Sequence, residues 1–283
     1  MTQGTPVQFF KKLFASRKTP VTESAPALEH TEELYETFSY DDLSEAEKAN
    51  LALREASQKC LDRHWNSVGV SESDVLGYAI SPSLMGGPDW PSTRQAYRVV
   101  RRADSIILAT EGMSDPFDGV EGLGNGFEME LFIETADIPE HARGATGDVY
   151  PLTRSWAFEL LKHLAREVAH AGGLTHRLEK YGSMSFEIPG FSQSDYMCDQ
   201  LPARFVTEDD MTGMLLGAPQ ADFSTQIDDM PLSPVKLVSV MLITAAELEY
   251  IRAGGQNARN DLIDRLKAAG IGHVSSLTRA SVV

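Results

Sequence analysis

Apolar and polar positions along this 283-residue chain fall into segments of two different periods. Residues 105–110, Ser-Ile-Ile-Leu-Ala-Thr, form a continuous β-branched run, whereas residues 127–135, Phe-Glu-Met-Glu-Leu-Phe-Ile-Glu-Thr, begin with apolar and acidic residues in alternation. The first pattern predicts a strand, and the second a strand with one wet face. Residues 111–126 between them are too long for a tight hairpin, and a loop of that size in a compact domain is usually functional or disordered. Further on, Trp156, Leu160, Leu161, Leu164 and Val168 recur at helical spacing, and Gly172-Gly173 supplies a stop, predicting a helix over 154–171 that lies against the sheet. Strands are predicted at 183–188 and 213–218, and the strongest remaining one at 235–244. Thr244-Ala245-Ala246-Glu247 is a capping box that starts a helix directly after that strand; Gly254-Gly255 ends it, and residues 257–269 form another.

Toward the N-terminus, residues 44–65 contain strong helix formers with a narrow apolar side that includes Leu51, Ala52, Ala56 and Cys60, a face suited to docking on a domain. Residues 1–18 carry Lys11, Lys12, Arg17 and Lys18 and no acidic residue, and residues 19–33 read as a linker rich in Pro, Thr, Ser and Glu. The chain therefore divides into a basic terminus and linker (1–40), an N-terminal helical segment (41–74) and a main domain (75–283). The order of elements predicts an α+β fold, a mixed and mostly antiparallel sheet covered by helices, with a helical N-terminal extension.

Composition narrows the partners. The formal net charge is −16, which argues against nucleic acid, because phosphate binding needs concentrated Lys and Arg. A cationic protein fits better, since a negative field speeds its encounter, although excess carboxylates also serve solubility alone. Two cysteines, Cys60 and Cys198, are too few for a disulfide framework or a four-thiolate zinc site, which points to a cytoplasmic setting. No transmembrane segment is expected, since no apolar run approaches the roughly 18 residues that span a bilayer. Oligomeric state stays open.

Residues suited to chemistry do not converge. Gly122-Leu123-Gly124-Asn125-Gly126 precedes a strand, whereas a phosphate cradle follows one and opens a helix; these glycines are read as a turn that lets the chain re-enter the sheet. His163 and His170 stand two turns apart, too far for the usual i, i+4 metal pair. Cys198 lies near Asp195 and Asp199, which oppose thiolate formation. The acidic runs at 208–210 and 228–229 lack calcium-loop spacing. No catalytic residue, metal or cofactor is predicted. What remains is a loop rim of Asp89, Trp90, Arg94, Glu111, Met113, Asp115 and Phe117, whose aromatic and Arg content suits a protein-binding patch if the two loops are neighbours. On a purely structural reading, Trp90 plugs the core and Asp115 caps its own Asp-Pro turn.

Residues 86–91, the run Ile-Leu-Ala-Thr-Glu-Gly-Met-Ser-Asp-Pro-Phe at 107–117, and Gly-Asn-Gly-Phe-Glu-Met-Glu-Leu-Phe-Ile-Glu at 124–134 resemble the central block of the Suppressor of fused family. Residues 235–249, Val-Lys-Leu-Val-Ser-Val-Met-Leu-Ile-Thr-Ala-Ala-Glu-Leu-Glu, are similar to its closing strand and helix. The likeness covers residues 75–283 in patches. It implies the family's α+β domain and a non-enzymatic, inhibitory protein-binding role: animal members sequester a transcription factor, and bacterial members are associated with immunity to polymorphic toxins. The animal peptide cleft lies between two lobes, and this chain is too short for both, so no contact residue transfers. The rival expectation is a hydrolase or small-ligand-binding enzyme using loop carboxylates and His, which requires a deep pocket with convergent acid and base groups.

Overall fold

In the computed structural model of the chain, the residues described are 43–78, 81–82, 86–87, 89–118 and 124–283. The basic terminus, the linker and most of the Gly122–Gly126 run's leading residues lie outside them. The framework is a nine-stranded mixed sheet, β1 (Val70–Ser71), β2 (Leu76–Gly77), β3 (Ala96–Arg101), β4 (Ile106–Glu111), β5 (Met129–Thr135), β6 (Met184–Pro189), β7 (Met211–Leu216), β8 (Gln226–Ile227) and β9 (Val235–Ile243). Its order is β1-β3-β4-β5-β9-β7-β6, with β2 also pairing β3 and β8 pairing β9. Only the central β5–β9 pair is parallel among these pairings; the rest are antiparallel. The expected α+β architecture, mostly antiparallel, is what the chain adopts.

Among the described residues there are six α-helical segments, α1 (Glu45–Val68), α2 (Glu140–Arg143), α3 (Trp156–His170), α4 (Thr175–Tyr181), α5 (Met197–Gln200) and α6 (Ala245–Ala268), and the three long ones pack on the sheet. α3 presses Leu160, Leu161, Leu164 and Val168 onto one face, against Leu108, Leu131, Ile133 and Val240. On the opposite face, α1 buries Cys60, Leu61 and Trp65 against Val100, Ile107, Ala109 and Phe132, and α6 buries Leu248, Ile251 and Leu262 against Leu215, Met241 and Ile243. The period-2 side-chain alternation of a strand sends Leu131 and Ile133 one way and Phe132 the other, so one segment feeds two cores. Both long helices begin at capping boxes, Ser44 with Glu47 and Thr244 with Glu247. α6 is interrupted at Gly255, φ 59°, where the paired glycines predicted a break.

β3 escapes a reading by pattern because Arg98 and Arg101 interrupt it, yet its first five residues are buried. The wet face expected of β5 is dry: all seven of its residues are buried, Glu130 and Glu134 included. A carboxylate removed from water must be met by hydrogen-bond donors or opposite charge. Where those partners come from defines the site.

Candidate functional site

α1 lays three polar residues four apart on the sheet side, Arg54, Gln58 and Asp62, a spacing that aligns them along one helix face. Each meets a charge below: Arg54 pairs with Asp118, Gln58 bonds both Arg94 and Glu111, and Asp62 pairs with Arg98. Beneath the helix, Arg94 grips Asp115 with two parallel bonds, Nε to Oδ2 at 3.1 Å and Nη2 to Oδ1 at 2.9 Å, and donates Nη1 to Glu111 Oε1 at 2.8 Å. Arg98 takes both oxygens of Glu111, Nε to Oε2 and Nη2 to Oε1, each at 3.0 Å. Ser92 Oγ adds a bond to Asp115 Oδ2 at 2.7 Å. The two carboxylates are 1% and 0% exposed, and two guanidiniums balance their charge. Burial opposes the Arg94 charge, but its hydrogen bonds to Asp115 and the charges of Asp115 and Glu111 more than offset it, so the guanidinium is held protonated.

The chain leaving β4 is fastened from below by Glu130. Its Oε1 accepts from Gly112 N at 3.1 Å, Ser114 N at 2.8 Å and Ser114 Oγ at 2.6 Å, and its Oε2 lies 2.5 Å from Thr110 Oγ. Burial pushes this carboxyl up to about 7, against the lowering effect of the Ser114 and Thr110 bonds. The protonated form is also accommodated, because Thr110 Oγ can accept at Oε2 while its own proton turns toward Leu131 O, 3.4 Å away. Across the range from its ordinary value of 4.5 to about 7, the folded chain keeps a proton that the unfolded chain has lost. Stability should therefore fall as pH rises through that window, by up to about 3 kcal/mol, and level off above it. Urea unfolding at pH 5 and pH 8 should show this loss in the native chain and not in Glu130→Gln; equal pH dependence in both would contradict it.

Where the chain returns to β5, Asn125 ties three segments together. Its Nδ2 donates to Ser57 Oγ of α1 at 2.8 Å and to Ser114 O at 3.1 Å, and its Oδ1 accepts from Leu232 N and Ser233 N at 2.9 and 3.1 Å. Gly126, φ 51°, lets this strand pass so close that a β-carbon there would stand 2.5 Å from both Met113 O and Asp115 O. The turn expected of the glycine run is thus realised at Gly126, while residues 119–123 lie outside the described set.

The two loops grouped by sequence are neighbours, since Asp118 N donates to Pro91 O at 3.0 Å. Of the seven rim residues, Arg94, Glu111 and Asp115 join in one ion network. Trp90 and Met113 are buried in the main core, Trp90 edge-on to Tyr97. Phe117 is half-buried against Phe127, and Asp89 is exposed. Asp115 does more than close its own turn: it is the bidentate partner of Arg94. Sequence reasoning missed Arg98, Gln58, Asp62, Glu130 and Asn125. A signal existed for the first three, because an Arg inside an apolar strand demands a buried counter-charge and the 54, 58, 62 spacing marks a polar helix stripe facing something charged.

A second cluster, with Glu134 and His273 buried and Asp222 exposed, holds the C-terminal segment on the same face. Glu134, Asp222 and His273 bring ligand atoms within 4.8 Å of one another, a set able to hold a metal ion. Arg102 already bridges the two carboxylates, with Nη1 3.0 Å from both Glu134 oxygens and from Asp222 Oδ1, and Nη2 2.8 Å from Asp222 Oδ2. His273 Nε2 lies 2.7 Å from Glu134 Oε2. Burial raises the Glu134 carboxyl, and the His273 and Ser105 hydrogen bonds with the Arg102 charge bring it below its usual value. The arrangement is that of an arginine-centred staple.

Fold and network together define a scaffold that spends its buried charges on fixing two loops. The family model described as Suppressor of fused protein (SUFU) matches residues 96–280, from the first residue of β3 through the C-terminal segment. The chain belongs to the Suppressor of fused family. No curated protein and no solved structure matches it significantly.

Proposed function

We propose that this chain is a non-enzymatic, inhibitory protein-binding module whose contact surface is the rim formed by residues 89–94 and 111–118. Membership of a family of protein-interaction modules carries the reading, through the match over residues 96–280. The ion network supports it. Glu111, Asp115 and Glu130 are buried with their oxygens engaged by Arg94, Arg98, Ser92, Ser114 and backbone donors, so they position loops and do not face a substrate. Loops held in place by a rigid scaffold are a common setting for recognition, and preorganisation lowers the entropic cost of association.

The partner that suits a chain of net charge −16 is cationic, and a nuclease-like toxin paired with an immunity protein is the specific case we propose, in a cytoplasmic setting. No helix among the described residues is long and apolar enough to cross a membrane. Capture on the purified chain from cells expressing the neighbouring genes tests this. A basic protein should be retained and its association rate should fall as salt rises, because screening shortens the reach of the field. Recovery of no partner, or of one whose association rate is insensitive to salt, would argue against the cationic-toxin assignment.

A further inference from the structure

Between the approach to β3 and the outer side of α3 lies a cavity of about 250 Å³, separate from the ion network but lined by Trp90 of the rim. One wall is aromatic: Trp90 stands edge-on to Tyr97 at 6.1 Å between ring centroids, Tyr97 edge-on to Phe158 at 4.9 Å, and Tyr78 lines the same cavity. The opposite wall is basic, made of Lys162, His163 and Arg166. Lys162 and Arg166 are four residues apart on α3, so they share a face and repel each other. Neither side chain forms a hydrogen bond or ion pair with a described residue. Glu159, three residues before Lys162 on the same helix, lies 4.0 Å from His163 Nε2 and is otherwise engaged by the backbone N–H groups of Asp195, Tyr196 and Met197 at 2.8, 2.8 and 2.9 Å.

In a strongly acidic chain, two cations whose side chains have no partner among the described residues, set with an aromatic wall around one cavity, call for an anion with a flat apolar body. The size agrees, because a cavity of about 150 Å³ takes a benzene-sized ring and the remainder leaves room for one charged group. We propose that this cavity binds a small aromatic carboxylate or aromatic phosphate, its ring against Trp90 and Tyr97 and its anionic group between Lys162 and Arg166. A dinucleotide is too large for it. His163 sits between the two cations in sequence, and burial, with the Lys162 and Arg166 charges, lowers its pKa against the opposing pull of Glu159 and Asp195. It is therefore a neutral hydrogen-bonding group near pH 7, and the two long cations carry the charge recognition.

The inference goes beyond the protein-binding reading and stands without it. Calorimetric titration of the purified chain with phenyl phosphate and with benzoate should give one site of sub-millimolar affinity for at least one of them. Inorganic phosphate and benzyl alcohol, each lacking half the recognition, should bind at least tenfold more weakly. Lys162→Ala with Arg166→Ala should weaken the aromatic anion at least tenfold, whereas Lys162→Arg with Arg166→Lys should retain most of the affinity. Circular dichroism and thermal unfolding check that both double variants are folded, and the proton resonance of the Trp90 indole should shift on binding. An unchanged affinity in the alanine variant, equal binding of inorganic phosphate, or no saturable heat with either aromatic probe overturns the proposal. None of these readouts depends on whether a protein partner is captured.

Discussion

Replacing Glu111 by alanine should lower the free energy of unfolding by about 3–5 kcal/mol, the cost of removing one partner from a buried ion pair. Glu111 is 1% exposed and accepts from both Arg94 and Arg98, and Arg98 is itself buried. Without it, Arg98 keeps only Asp62, a partner at the solvent edge, while Arg94 keeps Asp115. The loss comes from the uncompensated guanidinium, so it should shrink when that charge is also removed. Arg98→Met combined with Glu111→Ala should cost less than the two single changes added, with a coupling of about 1–3 kcal/mol. Urea unfolding of the four proteins followed by circular dichroism checks both statements. A single-variant loss below about 1 kcal/mol would mean that the network contributes little.

Gly112→Ala should be comparably damaging for a steric reason. Gly112 follows β4 directly, with φ 123°, and a β-carbon there would lie 2.2 Å from Arg94 O. Either the residue abandons its backbone conformation or the segment carrying Arg94 moves away from Glu111 and Asp115. Backbone strain and overpacking together place the cost at about 2–6 kcal/mol. Gly86→Ala is the matched control: its φ is 81° but a β-carbon meets nothing within 4 Å, so only the conformational cost of about 1–2 kcal/mol remains. Equal losses at the two glycines would show that the close approach to Arg94 is not what matters.

The sequence made α3, β9 and the α6 cap legible because periodicity and capping are local signals. Trp156, Leu160, Leu161, Leu164 and Val168 mark the buried face of α3 by spacing alone, and Thr244 with Glu247 marks the helix start. β3 and the dry face of β5 were illegible for the opposite reason. Arg98, Glu130 and Glu134 read as solvent-facing until α1, the loop after β4 and the C-terminal segment are placed over them, and those contacts span long stretches of chain. The rim was legible in composition but not in depth. Sequence grouped Arg94, Glu111 and Asp115 correctly as neighbours, yet nothing local distinguishes a Trp90 that packs on Tyr97 from one that faces a partner.

That depth decides which residues can test the binding surface. Trp90 and Asp115 are buried, so changing them would disturb the fold, whereas Asp89 is exposed and Phe117 half-buried at the same rim. The most direct measurement is quantitative capture of the protein partner from native lysate by the native chain, by Asp89→Lys with Phe117→Ala, and by Tyr150→Ala, whose side chain is exposed outside the rim. With all three shown to be folded, partner recovery should drop at least tenfold for the rim variant and stay unchanged for Tyr150→Ala. Equal recovery by all three would contradict a binding surface built on these loops.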